Sequence, residues 1–252
     1  MVKQMALWLL AGCSVAAWAQ PDGNAKPTFK VGEVAVYTVN DRADNKVFEE
    51  TTTVTAVTAD AIRFNQVRPN REPAGLEAVF TPDLRLVQSG SSGTRFDPPL
   101  QLIKQPMAVG DTWKAVYESV GLNQSRAKGD IDAKVVATEK VTTPAGTFDT
   151  FRIESGGWIT GISWQGSVRF TQVQWYAPTI GRYVRTEYKD FRGGRLWTDT
   201  VTELKSLKPA PRSTPWRCSC PQPVVSWTAF PHWPGLTLSP RKRSIRLGTP
   251  CA

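Results

Sequence analysis

Val141-Thr142-Thr143-Pro144-Ala145-Gly146-Thr147-Phe148-Asp149-Thr150-Phe151 is the stretch that decides the fold. Residues that are branched at Cβ or aromatic, which suit a half-buried pleated surface, lie on both sides of a Pro-Ala-Gly centre. Proline at the second position of a four-residue turn fixes its φ, and glycine at the fourth completes the type I pattern. The stretch predicts an antiparallel hairpin that pairs Asp130–Val141 with Phe148–Ser155, with Pro144 and Gly146 as its structural turn residues.

The same punctuation recurs outward in both directions. Short runs rich in Val, Thr, Ile, Phe, Tyr and Trp are separated by Gly, Pro, Asp and Asn. Further strands are predicted at Glu33–Val39, Phe48–Val57, Ala61–Gln66, Leu76–Phe80, Arg85–Gln88, Thr112–Val120, Gly166–Tyr176, Arg182–Asp190 and Arg195–Leu204. Gly193-Gly194 suits a two-residue hairpin turn, where positive φ is needed. Pro178 and Gly181 punctuate another turn, and Ser155-Gly156-Gly157-Trp158 is expected to reverse the chain. No long segment keeps an apolar helical period between caps, so little helix is expected. The fold class is all-β: an antiparallel curved sheet, half-barrel or barrel, since closure protects strand edges.

The chain echoes itself. Val31-Gly32-Glu33, then Tyr37, is matched by Val109-Gly110-Asp111, then Tyr117. Ala61-Ile62-Arg63-Phe64 is loosely matched by Phe151-Arg152-Ile153. Val79-Phe80-Thr81-Pro82-Asp83-Leu84, with Val87, is matched by Trp175-Tyr176-Ala177-Pro178-Thr179-Ile180, with Val184. The order is kept while the spacing varies, which suggests two related β modules, about 27–105 and 106–208, rather than a many-unit solenoid. A body of this length can bury one substantial core, so one fused domain over 20–208 is expected.

The Val141–Phe151 run, followed by Trp175-Tyr176-Ala177-Pro178 and Gly181-Arg182-Tyr183-Val184, resembles a family of secreted proteobacterial domains of unknown function. In that family a PAGTF turn precedes a WYAP…G strand. Val109-Gly110-Asp111-Thr112-Trp113 fits the same pattern. The resemblance covers roughly residues 105–208 well and the first half more loosely. It implies an exported β domain and carries no established activity or catalytic residue.

The two ends of the chain differ from this body. Lys3, then the apolar run from Met5 to Leu10, then Ala17-Trp18-Ala19 before Gln20, form an export signal over residues 1–19. Its apolar part is too short for a bilayer-spanning helix, which needs about 20 residues. Leu10-Ala11-Gly12-Cys13 offers a second route, acylation at Cys13, which would anchor the protein in the envelope. Residues 209–252 hold nine of the 19 prolines and no acidic residue, and are read as a disordered Pro/Arg-rich tail. All 22 acidic residues lie between Asp22 and Glu203, and residues 20–204 balance them with 22 cations, so the net +9 comes from Lys3 and the eight cations from Lys205 onward. A fold that held phosphate backbone would itself be basic, which argues against nucleic acid as a partner. Cys218, Cys220, Cys251 and His232 match no dependable zinc spacing, and no metal is expected.

The body contains neither His nor Cys. That removes Ser-His-Asp and Cys-His catalysis, His-based zinc sites and thiol redox chemistry. No glycine loop precedes a helix to cradle phosphate, and no cofactor is expected. Carboxylates remain: Glu118, Asp130, Asp132, Glu139, Asp149, Glu154 and Glu187 lie on or beside predicted strands. Two of them converging could hydrolyse a glycoside, though strand carboxylates are more often solvent-facing ion-pair partners. Aromatic residues concentrate in the second module, and Trp158, Trp164, Trp175, Tyr176 and Trp197 are the candidate ligand-binding set, on a concave apolar surface. The sequence therefore predicts a noncatalytic periplasmic or secreted β domain that binds an apolar or amphipathic ligand, or an envelope partner. The alternatives are a carboxylate-dependent hydrolase of envelope polysaccharide, and an assembly factor that pairs through a strand edge.

Overall fold

The computed structural model describes residues 21–68 and 72–211, among which there are twelve strands and no helix. In chain order they are β1 (Val34–Asp41), β2 (Lys46–Val57), β3 (Ile62–Arg68), β4 (Glu72–Phe80), β5 (Arg85–Gln88), β6 (Arg95–Gln101), β7 (Thr112–Val120), β8 (Arg126–Thr143), β9 (Gly146–Gly161), β10 (Ser167–Ala177), β11 (Arg182–Arg192) and β12 (Arg195–Lys208). Each pairs antiparallel with the next, and β1 pairs with β12 from Val34↔Lys208 to Asp41↔Thr200. The sheet is a closed up-and-down barrel, the arrangement that removes free strand edges altogether.

The turns follow the local chemistry. Thr143 pairs with Gly146 around Pro144-Ala145, joining β8 to β9. Gly193 and Gly194, at φ of 54° and 79°, close the β11–β12 hairpin in a left-handed region that a Cβ disfavours. Two expectations are corrected. Ser155-Gly156-Gly157-Trp158 does not reverse the chain; it lies inside β9, and the reversal comes at Ile162–Gly166. The two glycines are there for close approach, since a Cβ on Gly157 would sit 2.0 Å from the Asp130 carbonyl oxygen on β8. The other correction is β6, which the sequence pattern misses. Pro98 and Pro99 lack the N–H of a ladder donor, and β6 pairs with β7 only over Arg95–Asp97. Trp113 spans the gap below, its indole N–H donating to the Gln101 carbonyl at 3.1 Å.

Alternation then assigns the faces. On β7, Ala115 and Tyr117 are buried while Lys114, Val116 and Glu118 are exposed. Two clusters fill the interior. Phe29, Val54, Ile62, Phe64, Val135, Phe151, Ile153 and Tyr176 pack toward one end, with Phe64 edge-on to both Phe29 and Phe80 at 5.4 and 5.6 Å. Leu100, Ala115, Tyr117, Ile131 and Phe170 fill the rest. A third cluster gathers Val141, Ala145 and Phe148 of the β8–β9 hairpin against Ala35, Ala177, Val184 and Leu204.

The echoed motifs occupy matching places in the ladders. The Gly32 N–H donates to the Val54 carbonyl (2.8 Å), and the Val54 N–H to the Glu33 carbonyl (2.9 Å). Gly110 and Asp111 hold Val135 in the same way, at 2.9 Å in both bonds. Gly32 and Gly110 both have positive φ, 88° and 96°, and both valines sit at a β-bulge. Val54 faces Phe64 and Val135 faces Ile153; Ile62 faces Phe80 and Phe151 faces Tyr176. The 209–252 tail beyond Pro211, the 1–19 leader, Cys13 and the tail cysteines lie outside the described residues.

Candidate functional site

The first five strands curve around an interior cavity of about 280 Å³. This is near the lower bound of small-molecule pockets, which run from about 300 to 1,000 Å³. Its lining combines apolar residues, Phe29, Phe64, Phe80, Leu84, Leu86 and Ile103, joined from the second half by Tyr176 and Tyr183, with polar ones, Tyr37, Glu50, Thr52, Gln66 and Ser89, and Arg182, Thr186 and Thr202 from β11 and β12. The inward positions follow the alternation. Glu50 and Thr52 share the inward phase of Val54 on β2, and Gln66 shares that of Phe64 on β3.

Charges at this depth are compensated. Arg182 donates twice to Glu33 Oε1, at 2.8 Å from Nη2 and 3.3 Å from Nε, and is almost fully buried. Its guanidinium carbon stands 5.4 Å from the Phe29 ring centre and 5.3 Å from that of Phe64. Arg68 donates to Glu50 on the neighbouring strand. An arginine so placed has its charge neutralised by one carboxylate while its flat face packs against rings, which lowers the cost of burial. The floor is closed by the segment before β1: a Cβ on Gly181 would lie 2.2 Å from the Pro27 side chain.

Burial raises the pKa of the phenols. Tyr176 is pushed up to about 12, and Tyr117, facing the other interior cluster, also to about 12. Tyr183 is raised by burial next to Tyr176, and its hydroxyl donates to the Leu102 carbonyl at 3.3 Å. Tyr188 is raised by burial and then by Asp190. Tyr37 is raised by burial, with the Arg182 charge working against it. All stay neutral at physiological pH and present hydroxyls, not phenolates, to the interior.

The five aromatic residues singled out in sequence do not meet in one place. Tyr176 lines the cavity. Trp175, its neighbour on β10, points outward by alternation, where its indole N–H donates to Glu139 Oε2 at 2.7 Å and Arg152 and Arg185 cover its ring. Trp158 on β9 and Trp197 on β12 are exposed on the exterior, and Trp164 lies across Gly161 in the β9–β10 turn. Of the turn residues, Gly181 touches the cavity, and Pro144, Gly146, Pro178, Gly193 and Gly194 serve the backbone at hairpin ends. The seven strand carboxylates all carry cation partners: Glu118 with Arg126, Asp130 and Asp132 with Lys114, Glu139 and Glu154 with Arg152, Asp149 with Lys140, and Glu187 with Arg185. The cavity residues that sequence reasoning passed over, Tyr37, Glu50, Thr52, Gln66 and Arg182, had one available signal: polar side chains on the buried phase of strand alternation.

Comparison with known proteins bears on the second half most directly. Residues 107–201 match the family described as DUF3108-like, a domain of unknown function, over nearly the span that the PAGTF and WYAP residues had marked. No curated protein matches the chain. Among solved structures, a lipoprotein candidate from Parabacteroides distasonis aligns with a TM-score of 0.50 at 16% identity, covering 76% of this chain and 100% of that one. A candidate exported protein with a YmcC-like fold from Bacteroides fragilis gives 0.46 at 16% identity, covering 73% and 99%. The hypothetical lipoprotein YmcC of Escherichia coli gives 0.40 at 10% identity, covering 70% and 85%. At these identities the likeness to the Parabacteroides protein is one of fold: the barrel is an architecture that it shares.

Proposed function

We propose that this chain is an exported, envelope-associated β-barrel that holds a small amphipathic molecule without transforming it. The observation that carries the reading is the mixed lining of the cavity, which sets aromatic and aliphatic side chains together with Tyr37, Thr52, Gln66, Ser89 and Thr202. Such a lining suits a ligand with an apolar body and an uncharged or zwitterionic head, because Arg182 and Glu50 already have partners. The leader at residues 1–19 supports export, and the names of the similar folds, lipoprotein candidates and an exported protein, agree with it. The exterior supports a barrel that stands in water. Outward positions of β7–β12 carry ion pairs such as Lys114–Asp130 and Arg185–Glu203, the reverse of a lipid-facing band.

N-phenyl-1-naphthylamine, a small apolar fluorophore, tests the reading. The full chain is expected to enhance its emission saturably with one site. Ala78→Phe, which fills the cavity from β4, is expected to abolish that binding, and Thr202→Leu, a smaller change at a polar lining residue, to alter it. Val116→Phe, on the exposed face of β7, is expected to leave it unchanged. Unaltered saturable binding in both cavity variants, with thermal melts showing them folded, overturns the assignment.

A further inference from the structure

The end of the barrel opposite Arg182 and Glu33 has a different surface. The β9–β10 and β11–β12 hairpins stand side by side there, because β10 and β11 pair up to Val168↔Arg192. Ile159 packs into the interior, so Trp158 points outward by alternation. From Trp158 a line of ladder partners runs around the exterior: Trp158 to Arg169, Arg169 to Phe191, and Phe191 to Leu196. Trp197 follows, with Arg192 over its ring at 5.0 Å, and Ile162 and Trp164 project from the neighbouring turn. Trp158 is 51% exposed, Trp197 61%, Leu196 48% and Ile162 46%.

Large apolar side chains this open, gathered on adjacent hairpins, are not explained by packing within the chain. Their cationic neighbours carry the second half of the argument. Among the described residues, Lys128, Arg169 and Arg195 have no carboxylate within 4.0 Å, whereas the outward Lys114, Arg126 and Arg185 are ion-paired. Lys128 lies beside Trp158, across a hollow of about 470 Å³ that they share with Asp130 and Lys114. Tryptophan with arginine or lysine at one level suits a bilayer interface: the rings enter the headgroup region and the cations meet lipid phosphates.

We propose that this rim is a docking surface for an anionic phospholipid bilayer, with Trp158, Ile162, Trp164, Leu196 and Trp197 as the apolar contact and Lys128, Arg169 and Arg195 as its charge complement. The surface works independently of what the cavity holds, and it would set the barrel axis steeply to the membrane with the Arg182 end away from it.

Flotation of the full chain with vesicles of phosphatidylethanolamine and phosphatidylglycerol, against vesicles of phosphatidylcholine alone, tests this. Binding is expected on the anionic vesicles, weakening as salt is raised. Neutralising the three cations (Lys128→Gln, Arg169→Gln, Arg195→Gln) is expected to lower the partition constant roughly hundredfold, about fivefold per charge. Trp158→Ser with Trp197→Ser is expected to weaken it on the anionic vesicles and to remove quenching by bromine-labelled acyl chains. A variant with Arg241, Lys242 and Arg243 changed to Gln keeps the rim and tests the tail instead. If the rim variants float as the parent does, or only the tail variant loses binding, the proposal fails. N-phenyl-1-naphthylamine binding by the same variants, which leave the cavity untouched, keeps this outcome separate from that of the interior site.

Discussion

Glu50 and Thr52 stand on β2 where Ile131 and Ala133 stand on β8, four and two residues before the bracketed valines Val54 and Val135. One strand further on, Gln66 on β3 holds the place of Ser155 on β9, and Arg68 that of Gly157. The backbone frames correspond, down to the glycine turn and the bulge, but the interiors do not. In the second half Ile131, Val135, Ile153 and Phe170 take the inward positions, in clusters that they share with first-half residues. In the first half, polar groups take inward positions, and the space beside them is the cavity. Backbone hydrogen bonding can therefore be kept while the use of the interior changes, because the ladder constrains the frame and leaves the inward side chain free to vary.

Exchanging one matched pair tests that contrast most severely. Ile131→Glu puts a carboxylate into the apolar half without the arginine that Glu50 has, and is expected to cost about 3–5 kcal/mol, as an uncompensated buried charge does. The reciprocal Glu50→Ile frees only a partly exposed Arg68 and is expected to cost about 1 kcal/mol or less, read as the difference between the two denaturation midpoints. Equal losses in both would break the comparison.

Arg182 joins the halves, being on β11 but bonded to Glu33 before β1. Arg182→Met leaves the Glu33 carboxylate buried without a cation and is expected to lower Tm by roughly 10 °C, from about 3–5 kcal/mol. Adding Glu33→Gln is expected to return most of that loss, since the stranded charge is then gone. If the double variant melts no higher than the single one, ring packing rather than charge compensation holds this corner.

The third test reads both interiors through their tyrosines. The folded-state values of Tyr117 and Tyr176 lie near 12, above the unfolded value of about 10. The folded state therefore holds those protons more tightly. Its contribution to stability is complete below pH 10 and is lost as pH rises toward 12. Absorbance at 295 nm is expected to show little phenolate at pH 10.5, then a steep rise that coincides with the loss of near-UV dichroism. A titration midpoint near 10 in folded protein would mean that at least one half is wetter than its packing implies.

The hairpins were written locally. Thr143-Pro144-Ala145-Gly146 and Gly193-Gly194 carry their turn geometry in their own residue types, so the strands beside them could be placed from sequence. Gly156-Gly157 shows the limit. Two glycines signal either a reversal or a close approach of strands, and only the position of Asp130 on β8 chooses between them. β6 was illegible for the opposite reason: Pro98-Pro99 reads as a break, and the strand persists because its neighbours leave it few donors to supply.

Sequence alone determined the all-β class, the repeated order of motifs and the exclusion of histidine and thiol chemistry from the body, because each rests on residue identity or short-range stereochemistry. Closure of the sheet, and with it the absence of a free edge among the described strands for an incoming strand to join, was decided only by β1 meeting β12. So was the site. Glu33 and Arg182, far apart in the chain, become one ion pair beside a cavity, since which side chains share an interior depends on register summed around the whole barrel.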